Sequence, residues 1–324
     1  MKFFSKKFSY DKKFNFSKFW EKFGTLIILL SLIIIFSFMS PFFFTVNNLV
    51  QILVQSSIFM LIGMGELFAI LTAGIDLSVG SILALTGVFT AKLMTLGIPI
   101  WISILVGILI GALLGSFNGM LVAFTGLHPF IITLGTMNIY RGITLVITEA
   151  RPIFDYPFEY NNIFSGNIYG IPNLLIIVAI VALIIYLFTK YTTWARNIYA
   201  LGGNREAAWL SGTRINLTTI LAFTLSGLLS GIAGLSMIAR VGAAEPLAGS
   251  GYELFAIAST VIGGTSFFGG VGNVPGTLLG AIVIGVINNA LNIFNVPTFY
   301  QQILTGVIII AAVYANKVII RRGE

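Results

Sequence analysis

The chain reads as an all-α polytopic transmembrane bundle of about ten spans, with its N- and C-termini on the cytoplasmic side. Three observations carry that reading. Hydrophobic residues fill 57% of the 324 positions and charged residues only 9%, with a mean hydropathy of +0.99. A soluble domain needs about 25% charged residues to cover its surface, so lipid must be the main solvent here. Apolar runs of helical length recur ten times, and the positive charge is gathered in three places.

The first 23 residues form a basic tail carrying Lys2, Lys6, Lys7, Lys12, Lys13, Lys18 and Lys22. The apolar run at 24–44 lacks a small-residue cleavage site, so it is expected to be a retained first span. Further runs follow at 49–71, 77–95, 99–125, 129–148, 171–189, 216–239, 252–270, 275–293 and 300–319. Each is long enough to cross about 30 Å of hydrocarbon at 1.5 Å per residue. The run at 252–270 is the weakest, because GGTSFFGGVGNVPG is too rich in glycine for a simple helix.

Charge sets the orientation. The basic tail, a central cluster of Lys190, Arg196, Arg205 and Arg214, and a final cluster of Lys317, Arg321 and Arg322 hold 14 of the 18 lysines and arginines. An N-terminus inside, six spans, the cluster inside again, four spans and a tail inside satisfies the positive-inside rule three times. The chain then divides into a basic tail (1–23), a transmembrane domain (24–320) with a cytoplasmic loop at 190–215, and a short tail (321–324). Residues 149–170, with Glu149, Arg151, Asp155 and Glu159, fall outside. This distribution also accounts for the net charge of +7 without a nucleic-acid partner. With no cysteine, disulfides, thiolate metal sites and cysteine nucleophiles are excluded.

Small residues recur at helical spacing, as Gly107, Gly111 and Gly115, as Gly227 and Gly231, and as Gly276 and Gly280, which suits close helix packing in lipid. GILIGALLGSFNGML (107–121) also resembles GTLLGAIVIGVINNAL (276–291), so that Gly115, Asn118 and Leu121 return as Gly285, Asn288 and Leu291. The topology runs the two copies in opposite directions, which reads as inverted-repeat halves with a substrate path at their interface. Two glycine-rich helices could also match by chance.

The central loop reads WARNIYALGGNREAAWLSGTRIN (194–216). Gly202-Gly203 is expected to break the chain, Asn204 to cap a helix, and REAAWLSG to make about two turns ending at Gly212. A short helix displayed between two spans is a docking knob for a soluble partner.

GGNREAAWLSG resembles the coupling helix of bacterial ABC importer permeases. LTAGIDLSVGSILALTG (71–87), GYELFAIASTVIGGTSFFGG (251–270) and LLGAIVIGVINNALNI (278–293) resemble the ribose-type sugar permeases in particular. The likeness runs from about Trp20 to Tyr314. QILVQSS, TGLHPFIITLGT, RGITLVI and ARVGAAEPLAG are most similar to the D-allose branch of that family, with D-ribose or another pentose or hexose the alternative sugar. The resemblance implies a second permease chain as partner (a homodimer), a cytoplasmic ATPase subunit, an external sugar-binding protein and a place in the bacterial inner membrane. It assigns Asn204, Glu206, Ala207, Ala208 and Gly212 to the ATPase cleft, with Arg205 and Trp209 adding to that surface. ATP and Mg would be used by the partner and no cofactor bound by this chain, which has no Gly-x4-Gly-Lys-Ser/Thr loop; no enzyme activity is expected of it. A proton-coupled carrier is the alternative of another class, with Glu66, Asp76 and Arg141 as a relay.

Ionisable groups at membrane depth are functional candidates by default. Asp76, with Ser78, stands where spans 2 and 3 meet, either lining a cavity or capping the third helix. Glu66 lies within the second span and is a candidate for the translocation path, where it could accept sugar hydroxyls. Arg141 lies near the middle of the fifth and calls for a carboxylate partner, Glu66 or Asp76, as a structural ion pair. Asn118, Asn288 and Asn289 suit a neutral polyol along a translocation path, or bonds between helices. His128, the sole histidine, has no second ligand for a metal. Arg240, Glu245 and Glu253 are placed at outer span ends, either docking the binding protein or forming a solvated rim.

Overall fold

The computed structural model describes residues 16–297, 299–304, 306–308, 310, 311 and 314, and only the backbone of 16–22. Lys2, Lys6, Lys7, Lys12 and Lys13, and Lys317, Arg321 and Arg322, lie outside the described residues.

Among the described residues the chain is almost entirely helical. The first helix, α1 (Phe16–Met39), stops before Pro41, whose ring cannot continue it, so the first apolar run is helical only to 39. Thr45 then starts α2 (Val46–Leu71) by accepting the Asn48 N–H at 3.3 Å. There follow α3 (Val79–Thr95), α4 (Ile100–Thr125) and α5 (Pro129–Thr148). Pro129 at the first turn of α5 sits where its missing N–H costs nothing.

The segment 149–172 is a folded cap. It holds α6 (Glu159–Ser165) and a two-stranded antiparallel hairpin, β1 (Asn167–Ile168) on β2 (Ile171–Pro172), with Asn167 opposite Pro172. Then come α7 (Asn173–Tyr191), α8 (Thr193–Gly203), α9 (Arg205–Leu210), α10 (Ile215–Val241), α11 (Tyr252–Ile262) and α12 (Val274–Ile293). Helical backbone returns at 299–304 and 306–308, within the tenth apolar run.

Six of these helices, α2, α4, α5, α7, α10 and α12, are long and apolar enough to cross a membrane, and α1, α3 and α11 carry shorter apolar stretches. The weak run at 252–270 is half helix: α11 ends at Ile262, and Gly263 and Gly264, the latter at φ +89°, lead into a loop that reaches α12.

The core is built on α2, buried along most of its length, and α10 packed against it. Around them the contacts have a two-fold pattern. α4 packs on α10 and α3, while α12 packs on α2 and α11; α10 meets α3 as α2 meets α11. The glycine ridges make these seams. At Gly111 an added Cβ would stand 2.9 Å from the Gly231 Cα, so only glycine lets α4 and α10 come this close. The cap is tied to the end of α10 by aromatic residues: Tyr156 Oη donates to the Ile238 carbonyl at 2.9 Å and Tyr160 Oη to the Leu235 carbonyl at 2.7 Å. Tyr156, Tyr160 and Phe164 stack in succession beneath it.

Candidate functional site

Two polar regions stand out, one exposed and one sealed. The exposed one is the loop between α7 and α10. Thr192 caps α8 by accepting the Ala195 N–H at 3.2 Å. Asn204, in extended conformation, ends α8 and starts α9, its Oδ1 accepting the Ala207 N–H at 2.9 Å. The helix then closes with Gly212 at φ +82°, whose N–H donates to the Trp209 carbonyl while the Thr213 N–H reaches the Ala208 carbonyl.

The expected cap and short helix are present, but the break is misplaced: Gly202 and Gly203 are the last residues of α8, and the chain turns at Asn204. Gly202 is needed for proximity. A Cβ there would overlap the Leu71 carbonyl at the end of α2 and fall 2.6 Å from the Gly270 nitrogen. The same junction is stitched by the Gly270 N–H to the Leu71 carbonyl at 3.0 Å and by Tyr199 Oη to the Gly272 carbonyl at 2.9 Å.

On α9 only Ala208 is buried. Arg205, Glu206, Ala207 and Gly212 are exposed, as are Trp209 at 66% and Leu210 at 73%. Two bulky apolar side chains are thus displayed to the outside on a short capped helix. A cavity of about 420 Å³ separates the loop from the α4–α5 turn, with Thr72, His128, Gly203, Asn204 and Arg205 on its walls. His128 caps α5, its Nδ1 accepting the Phe130 N–H at 3.3 Å. Among the described residues no cluster of His, Cys, Asp or Glu could hold a metal ion.

The sealed region joins α2, α3, α4, α5 and α10. Glu66, Asp76, Ser78, Asn118 and Ser226 are all wholly buried. Asp76 Oδ1 accepts the Ser78 N–H at 3.0 Å and Ser78 Oγ at 2.6 Å, and its Oδ2 accepts Ser226 Oγ at 2.8 Å. Asn118 donates to Ser78 Oγ at 2.7 Å and accepts Tyr140 Oη at 2.9 Å. The Asp76 N–H donates to Glu66 Oε1 at 3.1 Å, while Glu66 Oε2 has no partner. Four residues picked out in the sequence are thus brought together. Ser226 and Tyr140 were missed, since one hydroxyl in an apolar helix carries no signal of what it faces.

Three expectations are corrected. Asp76 does not cap α3: it stands ahead of the helix and holds the residue at the cap position, Ser78, whose own side chain makes no capping bond. Arg141 pairs with neither carboxylate; its Nη1 donates to the carbonyls of Pro246 at 2.9 Å and Ala248 at 2.7 Å. Rise along α5 explains this. Thr133 bonds the Ile75 carbonyl, and Arg141 lies eight residues, about 12 Å, farther along. Glu253 is no rim residue, because the stretch 242–251 turns inward before α11 begins and brings Glu253 Oε2 to 2.9 Å from where a Gly80 Cβ would stand. Arg240 and Glu245 are exposed.

The repeat asparagines part company. Asn289 exchanges bonds with Asn48 at 2.9 and 3.1 Å, linking α12 to the start of α2. Asn288 is half-buried.

The family described as branched-chain amino acid transport system / permease component matches residues 48–313. The D-allose transport system permease protein of Escherichia coli (strain K12) is 52% identical over 96% of this chain and 96% of its own. The ribose import permease protein of Haemophilus influenzae is 44% identical over 94% of this chain and 95% of its own. The L-arabinose transport system permease protein of E. coli (strain K12) is 34% identical over 94% and 93%. No solved structure matches the chain. The chain belongs to this permease family and is a multi-pass membrane protein.

Proposed function

We propose that this permease is the membrane half of an ATP-driven monosaccharide importer, with D-allose as its sugar and D-ribose as the alternative. The observation that carries the reading is α9: a capped helix, exposed at every residue but Ala208, on a loop braced against the end of α2. Its GGNREAAWLSG is a docking element for an ATPase subunit, and motion imposed there reaches α2 through Gly202, Leu71 and Gly270. Asn204, Arg205, Glu206, Ala207, Trp209 and Gly212 form the docking surface. The identity to the D-allose permease over nearly the whole chain supports the choice of sugar.

The rest of the assembly follows from this reading. Ten spans with both termini in the cytoplasm, a domain from 24 to 320, and α2–α5 related by inversion to α10–α12 and the helix beyond give one half of a gate. The two-fold contact pattern supports the inverted repeat. A second copy completes the path, an external binding protein supplies sugar, and the site is the bacterial inner membrane. ATP and Mg belong to the ATPase, and this chain binds neither.

The test is reconstitution in liposomes with the ATPase and the binding protein, measuring uptake of D-allose and D-ribose with and without ATP. ATP-dependent uptake, D-allose ahead of D-ribose, is expected, and the chain alone should be silent. Uptake by the chain alone under a proton gradient would replace this reading with a secondary carrier.

A further inference from the structure

The polar groups that lie open at membrane depth are not those of the sealed network. Asn118 and the two carboxylates of the network are sealed among helices. On α5, Asn138 is exposed, and its one bond is from its Nδ2 to the Leu134 carbonyl of its own helix at 2.9 Å. Arg141, half-buried, stands three residues on and shares that face. These two lie about 14 and 18 Å from the start of a helix roughly 30 Å long, near its middle. Flanking them, Gly135 and Gly142 have open space where a side chain would be.

A second element comes to the same depth. Arg141 holds the carbonyls of Pro246 and Ala248, and that stretch leads directly into the first turn of α11. Glu253 there is half-buried, with Oε2 facing Gly80. Gly80 follows closely on Ser78, which bonds Asn118 about 10 Å from the end of α4. On the ten-span reading Glu253 therefore lies well inside the bilayer. Through those two carbonyls Arg141 is held beside the stretch that leads to Glu253, and the two close no ion pair. An exposed amide beside a half-buried guanidinium and carboxylate at hydrocarbon depth does not face lipid; such groups face protein or a water-filled cavity.

We propose that Asn138, Arg141 and Glu253 form a sugar-contacting site midway across the membrane, on the face of α5 turned toward the second copy. The inference rests on the importer reading above. One cation, one anion and one amide offer donors and acceptors with no net charge, which fits the hydroxyls of a neutral monosaccharide. Arg141 donates to backbone through Nη1 alone, leaving Nη2 and Nε for a ligand. In this proposal a second copy closes the site from the other side.

The chain has no cysteine, so Asn138→Cys in the assembled complex with ATPase and binding protein is a single-cysteine probe. The reagent is a charged methanethiosulfonate, and the control is Leu109→Cys, on the exposed apolar face of α4. Asn138→Cys should label at least about tenfold faster than the control, since water and not hydrocarbon lies beside it. D-allose during ATP turnover should slow that labelling severalfold. Labelling as slow as the control places Asn138 against lipid, and labelling indifferent to sugar leaves a wet face with no contact; either result overturns the proposal. Should Asn138→Cys fail to assemble, Gly135→Cys, one turn away on the same face, gives the same readings. Arg141→Lys and Glu253→Gln should change the ratio of D-allose to D-ribose uptake, and an unchanged ratio removes both from the site. If the unmodified complex takes up neither sugar with ATP, it is the importer reading that fails, whatever the labelling shows.

Discussion

Asp76 and Asn204 do the same local work in very different surroundings. Each presents a side-chain oxygen to a backbone N–H a few residues on, Ser78 in one case and Ala207 in the other. Around Asp76 the neighbours close in until no solvent remains, and its second oxygen is claimed by Ser226 on α10. Around Asn204 the chain stays open, and the helix it starts displays Trp209 and Leu210. A buried polar group must be satisfied by its own fold, so changing it is read as stability. An exposed one has its bonds in water already, so changing it is read in what docks there. Asp76 belongs to the first kind and the residues of α9 to the second, while Glu66, with Oε2 unpaired, is only half satisfied.

The sharpest way to break this comparison is Asp76→Ala. It would leave the Ser78 N–H, Ser78 Oγ and Ser226 Oγ buried without their acceptor, at 1–3 kcal/mol for each orphaned group, so a loss of about 3 kcal/mol or more is expected. Thermal unfolding in detergent measures it, and Asp76→Asn, which keeps an oxygen in place, should recover most of the loss. If Asp76→Ala is as stable as the parent and only transport falls, the network is a path and not a strut.

Gly202→Val tests the junction between the two regions. The added side chain would overlap the Leu71 carbonyl and push α8 off the end of α2, at a cost of about 1–3 kcal/mol. The assembled complex should still hydrolyse ATP but import sugar at least about tenfold more slowly, since the strain falls between docking and the core. Loss of ATPase binding in place of coupling would move the defect to α9 itself.

How much of this was legible in the sequence follows from what hydropathy and spacing measure. The run at 129–148 matches α5 residue for residue, because its ends carry a proline and a polar turn. The run at 252–270 was half wrong as a helix, since apolar composition records burial and not backbone conformation, and Gly263 and Gly264 end the helix early. The folded cap went unseen, though Tyr156, Tyr160 and Phe164 fall four residues apart, a spacing that marks one face of a helical turn. The short helix α9 was readable because its cap and terminal glycine are local. The Arg141 partner was not, because spacing fixes position along one helix but not the register between two. Glu253 was misplaced for a related reason: a loop that dives into the membrane looks, in sequence, like one that stays out.

Trp209→Ala sharpens the exposed half. The indole is largely open, so the isolated chain should unfold at the same temperature as the parent. Its affinity for the ATPase should fall by about 2 kcal/mol if the side chain anchors the contact. Equal affinity by titration of the purified ATPase would leave α9 a connector.

The smallest effect concerns the cap, where buried hydroxyls again meet backbone carbonyls. Tyr160→Phe removes one bond from a hydroxyl to an already paired carbonyl, so about 1 kcal/mol should be lost at neutral pH. Burial pushes the Tyr160 hydroxyl well above the ordinary tyrosine value of 10, and Tyr156 is raised by the same cause. A group whose folded value is raised contributes stability that is complete below its unfolded value and is lost as pH climbs through the folded one. The cap should therefore hold steady from neutral pH to about 10 and loosen above it. Hydrogen exchange across 159–165 at pH 7 and pH 11 measures this, with Tyr156→Phe/Tyr160→Phe as the reference. Lysines elsewhere also titrate in that range, so only the difference between parent and double variant counts. An equal loss in both would mean that the cap is held by its aromatic stacking and not by its hydroxyls.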